Sequence, residues 1–317
     1  MFSSIRRNSF VPFAIVFFLV TRTALSSPRQ QTSAPALSVS ATCAEMNSGN
    51  SAAQNRLTQF LLSRDSTDPD FTATLDCIQQ TASRDNPASL FLLGYLYEHG
   101  RGVPRDPAKA AQYYQSAAAR GHSLALNNLA SLYQHGLGLP RDPHKAFDLY
   151  TAAAERGNSV AQTNLASMYC NSAAIPRDYS AAARWFRAAA DQGDPTAQHD
   201  LGVLYYKGLG ISRDLAASAH WEALAASQGD PFAETDLAYL YETGAGFPRD
   251  RFTAYLWYSR AISAGDLSGS SRRGALAQYL NKKQRDEAAA LSLRSAPSLP
   301  GSLAGPSTLP LLIIPIH

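Results

Sequence analysis

The pair Arg-Asp recurs at 105/106, 141/142, 177/178, 213/214 and 249/250, a step of 36 residues each time. Glycines at 121, 157, 193, 229 and 265 keep the same step, as do leucines at 93, 129, 165, 201 and 237. So do tyrosines at 97, 133, 169, 205 and 241. Four ladders in one register restrict the chain to stacked copies of a small supersecondary unit, each unable to bury its apolar face alone. The copies are numbered repeat one (85–120) to repeat five (229–264).

Inside one copy the residues spell helix, turn, helix. Asp194-Pro195 and Asp230-Pro231 place a capping acceptor before a proline whose missing N–H costs nothing at the first helical position. Leu201, Leu204 and Tyr205 follow at i, i+3 and i+4 and form one apolar stripe. Gly208 and Gly210 end that helix, Asp214 caps the next, and Gly229 terminates it. Repeat three departs, with Ser172 and Ala174 in place of both turn glycines. The predicted fold class is all-α.

The register runs past the clear copies. The segment 52–61 aligns without a gap on 160–169, so residues 49–84 read as a degenerate first repeat with Cys77 in the slot of Tyr113, Trp185, Trp221 and Trp257. Residues 265–293 read as capping helices at the C-terminal end, and the Pro-rich residues 294–317 as a disordered tail. At the other end, Arg6 and Arg7 precede an apolar run over 10–20, with Ala24 and Ser26 placed for cleavage before Ser27. Residues 1–26 are therefore expected to be an export signal, since eleven apolar residues are too few for a membrane span of about 20. The Ser/Pro/Ala/Thr-rich residues 27–48 are expected to be a disordered linker.

Charge excludes one class of partner. Lys and Arg outnumber Asp and Glu 28 to 25, and Arg6, Arg7 and Arg22 of the leader account for the whole excess. No generic basic surface remains for nucleic acid. Three cysteines are too few for a disulfide scaffold. In an oxidising compartment Cys43 and Cys77, beside the two helices of the degenerate repeat, either bridge and tie down that end or stay free thiols. Cys170 shares a slot with Glu98, Gln134, Tyr206 and Glu242, so it is expected to be partly exposed and unpaired.

The candidate catalytic motifs reduce to structure. Gly121-His122-Ser123 and Gly157-Asn158-Ser159 imitate a nucleophile elbow, but that elbow needs a preceding strand. Their counterparts are Gly193-Asp194-Pro195 and Gly229-Asp230-Pro231, so both serines belong to helix caps. The Gly-x-Gly turns lack a phosphate-binding lysine, and their Arg is expected to fold back onto a carboxylate or a helix-end carbonyl. The seven histidines fall outside H-E-x-x-H and Cys-x-x-Cys patterns, so no metal and no cofactor is expected. The column Tyr113, Trp185, Trp221, Trp257 is expected to be core.

Copies such as AQHDLGVLYYKGLGISRDLAASAHWEALAASQGD (197–230) resemble the Sel-one-like repeat, a relative of the tetratricopeptide repeat with a longer inter-helix turn. The resemblance spans about residues 85–264 and implies a right-handed α-α superhelix, a solenoid, that acts as a non-catalytic interaction scaffold. It also implies an exported adaptor with a protein or peptide partner and no small-molecule substrate. A membrane would be involved only if the leader stays uncleaved. Some cysteine-rich members bind or hydrolyse β-lactams, which keeps an enzyme as the alternative, beside a membrane-tethered structural protein. In tetratricopeptide-like arrays the first helices line a concave groove. Carried onto this chain, the groove positions are Phe91, Tyr95, Glu98 and His99 in repeat one, and Asn127, Ser131, Gln134 and His135 in repeat two. Repeat four contributes His199, Val203, Tyr206 and Lys207, and repeat five Thr235, Tyr239 and Glu242.

Overall fold

The computed structural model describes residues 39–47, 53, 56–58, 60–61 and 68–293. The expected leader (1–26) and tail (294–317) lie outside the described residues, as does most of the linker. Every regular element among the described residues is helical, and no helix there is long and apolar enough to cross a membrane. The chain divides into two compact units, one ending at Leu165 and the other starting at Ala166.

In the first unit the helices Pro87–His99 and Pro107–Ala119 form repeat one, and Ser123–His135 and Pro143–Glu155 form repeat two. In the second, Pro195–Lys207 and Leu215–Ser227 form repeat four, followed by Pro231–Thr243 and Arg251–Ser263 of repeat five. Each pair packs along its length, and the second helix of repeats one and four also packs on the first helix of the next copy. The helix Ser159–Asn171 of repeat three crosses the division, and its partner Tyr179–Ala190 packs on Pro195–Lys207.

The ladder residues explain the period. Leu93, Leu129, Leu165, Leu201 and Leu237 are all buried at 4% exposure or less. The backbone N–H of each ladder Asp donates to the carbonyl of the ladder Tyr nine residues before it, at 2.8–3.1 Å in all five copies. The same Asp side chain then caps the second helix, as Asp106 Oδ1 does for Lys109 N at 2.9 Å. The ladder Arg folds back as expected. Nε of Arg105, Arg141, Arg213 and Arg249 donates to the carbonyls of Glu98, Gln134, Tyr206 and Glu242 at 2.9–3.1 Å.

Repeat three shows what the glycines do elsewhere. Its Ser172 Oγ accepts from Ala174 N at 3.2 Å, and Arg177 lies over the Tyr179 ring, 5.8 Å from its centroid. The one non-glycine residue with positive φ among the described residues is Asp85, which occupies the glycine-ladder slot at the start of repeat one. Aspartate tolerates that conformation better than most side chains.

Three expectations are corrected. Residues Val39–Asn47, placed in the linker, form a helix packed on Pro69–Ala82, with Thr42 buried and Cys43 against the core. Cys43 and Cys77 are bonded to each other there. The aromatic column is core only in part: Trp221 and Trp257 are buried as expected, at 5% and 3% exposure, while in repeats one and three the buried ring sits one residue later. Tyr113 and Trp185 are half-buried, whereas Tyr114, Tyr150, Phe186 and Tyr258 are at most 1% exposed. A one-residue step rotates a helical side chain by about 100°, enough to carry it from the flank of the interface to its centre. Cys170 is buried, not partly exposed, and shares a core cluster with Phe186, so burial pushes its thiol up to about 12.

The second turn glycine carries a steric demand that the helix terminator does not. At Gly210, with φ +70°, an added Cβ would stand 2.2 Å from the carbonyl carbon of Tyr179, where the turn rests on the preceding repeat's second helix. At Gly229, with φ +85°, an added Cβ would meet nothing within 4 Å. Both Gly→Ala changes carry the positive-φ strain of about 1 kcal/mol, and only Gly210→Ala adds a backbone clash. Chemical denaturation should find Gly210→Ala costing at least ~2 kcal/mol more than Gly229→Ala. Equal costs would mean that the turn does not press on its neighbour.

Candidate partner-binding surface

The expected groove residues separate into two sets. Glu98, Asn127, His199, Val203 and Thr235 are buried, at 7% exposure or less, and the expectation that they are exposed is corrected. The cause is the stacking of repeats. In repeats one and five the residue two before the ladder Leu meets the N-cap residue that follows that copy. Phe91 stacks on His122 with ring centroids 4.8 Å apart, and Thr235 Oγ1 donates to Asp266 Oδ2 at 2.6 Å. Asn127 donates to Asn128 Oδ1 at 3.1 Å and accepts from Asn164 at 3.2 Å.

Glu98 and Gln134 face inward for another reason. Tyr114 Oη donates to Glu98 Oε2 at 2.7 Å, Tyr150 Oη to Gln134 Oε1 at 2.9 Å, and Tyr258 Oη to Glu242 Oε2 at 2.8 Å. Three copies thus join an acceptor on the first helix to a buried tyrosine on the second. Repeat three pairs Cys170 with Phe186 in the same two slots, both apolar. Repeat four reverses the chemistry, with Tyr206 on the first helix and Glu222 on the second. Glu222 takes His199 as partner, Nδ1 to Oε2 at 2.9 Å, and both are buried. Burial opposes a charge on His199, but Glu222, Asp236 and Asp200 outweigh it and raise the imidazole pKa.

The second set reaches solvent at the C-terminal ends of the first helices. Tyr95, His99, Ser131, Tyr206, Lys207 and Tyr239 are half-buried and His135 is exposed, while Phe91, Gln134 and Glu242 keep partial exposure. In the first unit Tyr95 stacks on His99 at 4.1 Å, and the Nδ1 of His99 and of His135 bond to the carbonyls four residues before them. In the second unit Tyr206 meets Tyr239 edge-on at 6.3 Å, and the Arg272 guanidinium lies 4.8 Å from the Tyr239 centroid. Arg272 also holds Glu242 at 3.1 Å. The sequence contained no sign of Arg272, which stands beyond the five regular copies. Its second-unit surface is therefore aromatic, flanked by Lys207, Arg213 and Arg272. The Ser131 hydroxyl lies 3.4 Å from His135 Nδ1, a nitrogen that the Ser131 carbonyl holds more closely at 2.8 Å.

Paired helices, turn glycines and a fixed 36-residue step define a helical-repeat protein of the solenoid class. Five consecutive Sel1 repeats match at residues 87–122, 123–158, 159–194, 195–230 and 231–266, more than half of the chain, and the protein belongs to the Sel1 repeat family. Proteins of this family are generally protein-interaction scaffolds. Among solved structures, a Sel1 repeat protein from Oxalobacter formigenes is 26% identical, with TM-score 0.59, covering 80% of this chain and 98% of its own. The protective antigen c5321 of uropathogenic Escherichia coli, of SLR fold, is 25% identical with TM-score 0.37, over 80% of this chain and 70% of its own. Immunity protein Pa5087 from Pseudomonas aeruginosa is 18% identical with TM-score 0.44, over 67% and 81%. No curated protein matches the sequence.

Glu98 provides a test of the inward network. Burial raises its carboxyl to about 7, against the hydrogen bond from Tyr114 and the charge of Arg105, which lower it. The folded pKa lies above the ordinary value of 4.5, so the folded chain binds the extra proton between those two values. Stability from this group is therefore full below about pH 4.5 and is lost as pH rises through about 7. Glu98→Gln keeps an acceptor for Tyr114, as Gln134 does for Tyr150, and removes the titration. At pH 8 the variant should be about 1–3 kcal/mol more stable than wild type, with little difference near pH 5. Urea midpoints at the two pH values measure this, and a variant weaker at pH 8 overturns the assignment.

Proposed function

We propose that the protein is an exported, non-catalytic scaffold that holds a protein or peptide partner along the exposed C-terminal ends of its first helices. The observation that carries this reading is the set of accessible aromatics there, Tyr95 in the first unit and Tyr206 and Tyr239 in the second, beside Lys207 and Arg272. Aromatic and cationic side chains dominate binding energy at protein interfaces because they bury large areas with few rotatable bonds. The neighbouring positions vary from copy to copy while the ladder residues do not, which is how one array presents a distinct surface. A peptide laid on the second unit's surface would meet Tyr206 and Tyr239 with basic flanks, which favours apolar anchors accompanied by acidic residues.

The test is Tyr95→Ala, Tyr206→Ala and Tyr239→Ala combined. Their side chains are only half-buried, so helical content and melting should stay close to wild type while partner recovery from the native envelope falls at least tenfold. Undiminished recovery by a folded triple variant would move the binding face elsewhere.

Export is supported by the basic-apolar-small order of residues 1–26 and by the Cys43–Cys77 bond, since such bonds persist in oxidising compartments. The expected mature N-terminus lies near Ser27. Mass spectrometry of the exported protein should find that terminus together with a Cys43–Cys77 peptide before reduction. A chain starting at Met1 with both thiols free overturns export.

A further inference from the structure

Repeat four departs from the other copies at two places, which the fold brings beside an aspartate of repeat five. Position 199 is a histidine where the other copies hold Phe91, Asn127, Thr163 and Thr235. Position 222 is a glutamate where they hold Tyr114, Tyr150, Phe186 and Tyr258. The first helix of repeat five brings Asp236, in a column that reads Leu92, Asn128 and Asn164 in the first three copies and Asp200 in repeat four. His199 is the one ionisable side chain in its column across the five copies, and Glu222 the one carboxylate in its own.

In the second unit one ligand atom from each of His199, Glu222 and Asp236 lies within 4.8 Å of the other two, and all three residues are buried. Glu222 is fully buried, and only its Oε2 is engaged, by His199. Its Oε1 has no hydrogen-bond partner and rests against Gly202, whose missing side chain leaves it room. Asp200, also fully buried, adds a further carboxylate to the field at His199. A buried carboxylate oxygen with no donor is costly, and carboxylates buried close together add to that cost. A divalent cation would supply the missing contact and offset the carboxylate charge.

We propose that His199, Glu222 and Asp236 form a buried binding site for one divalent transition-metal ion, of which zinc is the best fit, locking repeat four to repeat five. One imidazole nitrogen and two carboxylate oxygens suit zinc, whereas magnesium prefers an all-oxygen, largely hydrated shell. The three ligands come from three helices, Pro195–Lys207, Leu215–Ser227 and Pro231–Thr243, so the ion would staple two consecutive copies. The ligands must draw in by about 1 Å to reach zinc–ligand distances of ~2.0–2.2 Å. Sequence reasoning expected no metal because these residues fit no short ligand motif. The signal was the departure of His199 and Glu222 from the repeat pattern.

The experiment uses untagged full-length mature protein, stripped with chelator, dialysed and titrated with zinc. Metal analysis after equilibrium dialysis should find one zinc per chain, melting should rise by several degrees, and magnesium should do neither. X-ray absorption at the zinc edge should show one imidazole, oxygen ligands and no sulfur. His199→Asn, Glu222→Tyr and Asp236→Asn each restore a residue that the same column holds in another copy, and each should weaken zinc binding by at least tenfold. Less than one zinc per wild-type chain overturns the proposal, as does sulfur or a second imidazole in its zinc shell. Undiminished zinc binding by any folded one of the three variants overturns it too.

Discussion

One hydrogen bond sets the geometry on which the array depends, the donation from each ladder Asp N–H to the carbonyl of the ladder Tyr nine residues earlier. It recurs at 2.8–3.1 Å in all five copies, including the one without turn glycines. It fixes where the second helix begins relative to the end of the first. The Asp side chain then caps that second helix, and in four copies the preceding Arg satisfies a carbonyl at the end of the first. Helix ends leave orphan donors and acceptors, and here two adjacent residues serve both ends of one turn. That economy explains why Arg-Asp is the most regular dipeptide in the chain. The crossing of the two helices follows from it, and with that crossing the facing columns that bury the core.

Facing columns are coupled, so their residues change together. A carboxylate or amide at 98, 134 or 242 faces a tyrosine sixteen residues on, and the apolar Cys170 faces Phe186. Where repeat four places Glu222 in the tyrosine slot, the acceptor slot opposite carries Tyr206. That tyrosine meets Tyr239 at the surface. The same change that put a carboxylate into the core therefore supplied an aromatic to the outer face. Interior charge and exterior recognition surface are two consequences of one swap.

Period, helix caps and turns were legible because each rests on local chemistry: Asp before a helix, Gly at positive φ, a leucine every 36 residues. The depth of each column was not. Tyr113 and Tyr114 are adjacent, as are Trp185 and Phe186, so helical periodicity alone fits either member. The choice is made by the opposite helix, where Glu98 offers an acceptor to Tyr114. Likewise Phe91 and Thr235 looked like surface positions because they lie two residues before a ladder leucine. The cap of the following copy covers both, at His122 and Asp266. That cover comes from about thirty residues away and leaves no trace in the local pattern. The helix at Val39–Asn47 was missed for a related reason, since its mostly small residues carry no clear apolar stripe and it is held through Cys43 against the helix Pro69–Ala82.

A buried cluster such as His199, Glu222 and Asp236 would threaten a small single-core domain, whose net stability is only about 5–15 kcal/mol. A repeat array distributes that risk differently. Its stability is close to a sum of local and nearest-neighbour terms, so the cost of burying charge falls on one interface and leaves the others intact. Around the cluster, the ladder leucines Leu201 and Leu237 stay buried as their equivalents do in the other copies. The ladder thus holds the backbone in place independently of what the variable columns contain. Because the scaffold is over-determined by its turns and leucines, three positions in repeats four and five were free to become ionisable without unfolding the chain. Departures from the repeat, rather than the repeat itself, are accordingly where chemistry particular to this protein can accumulate.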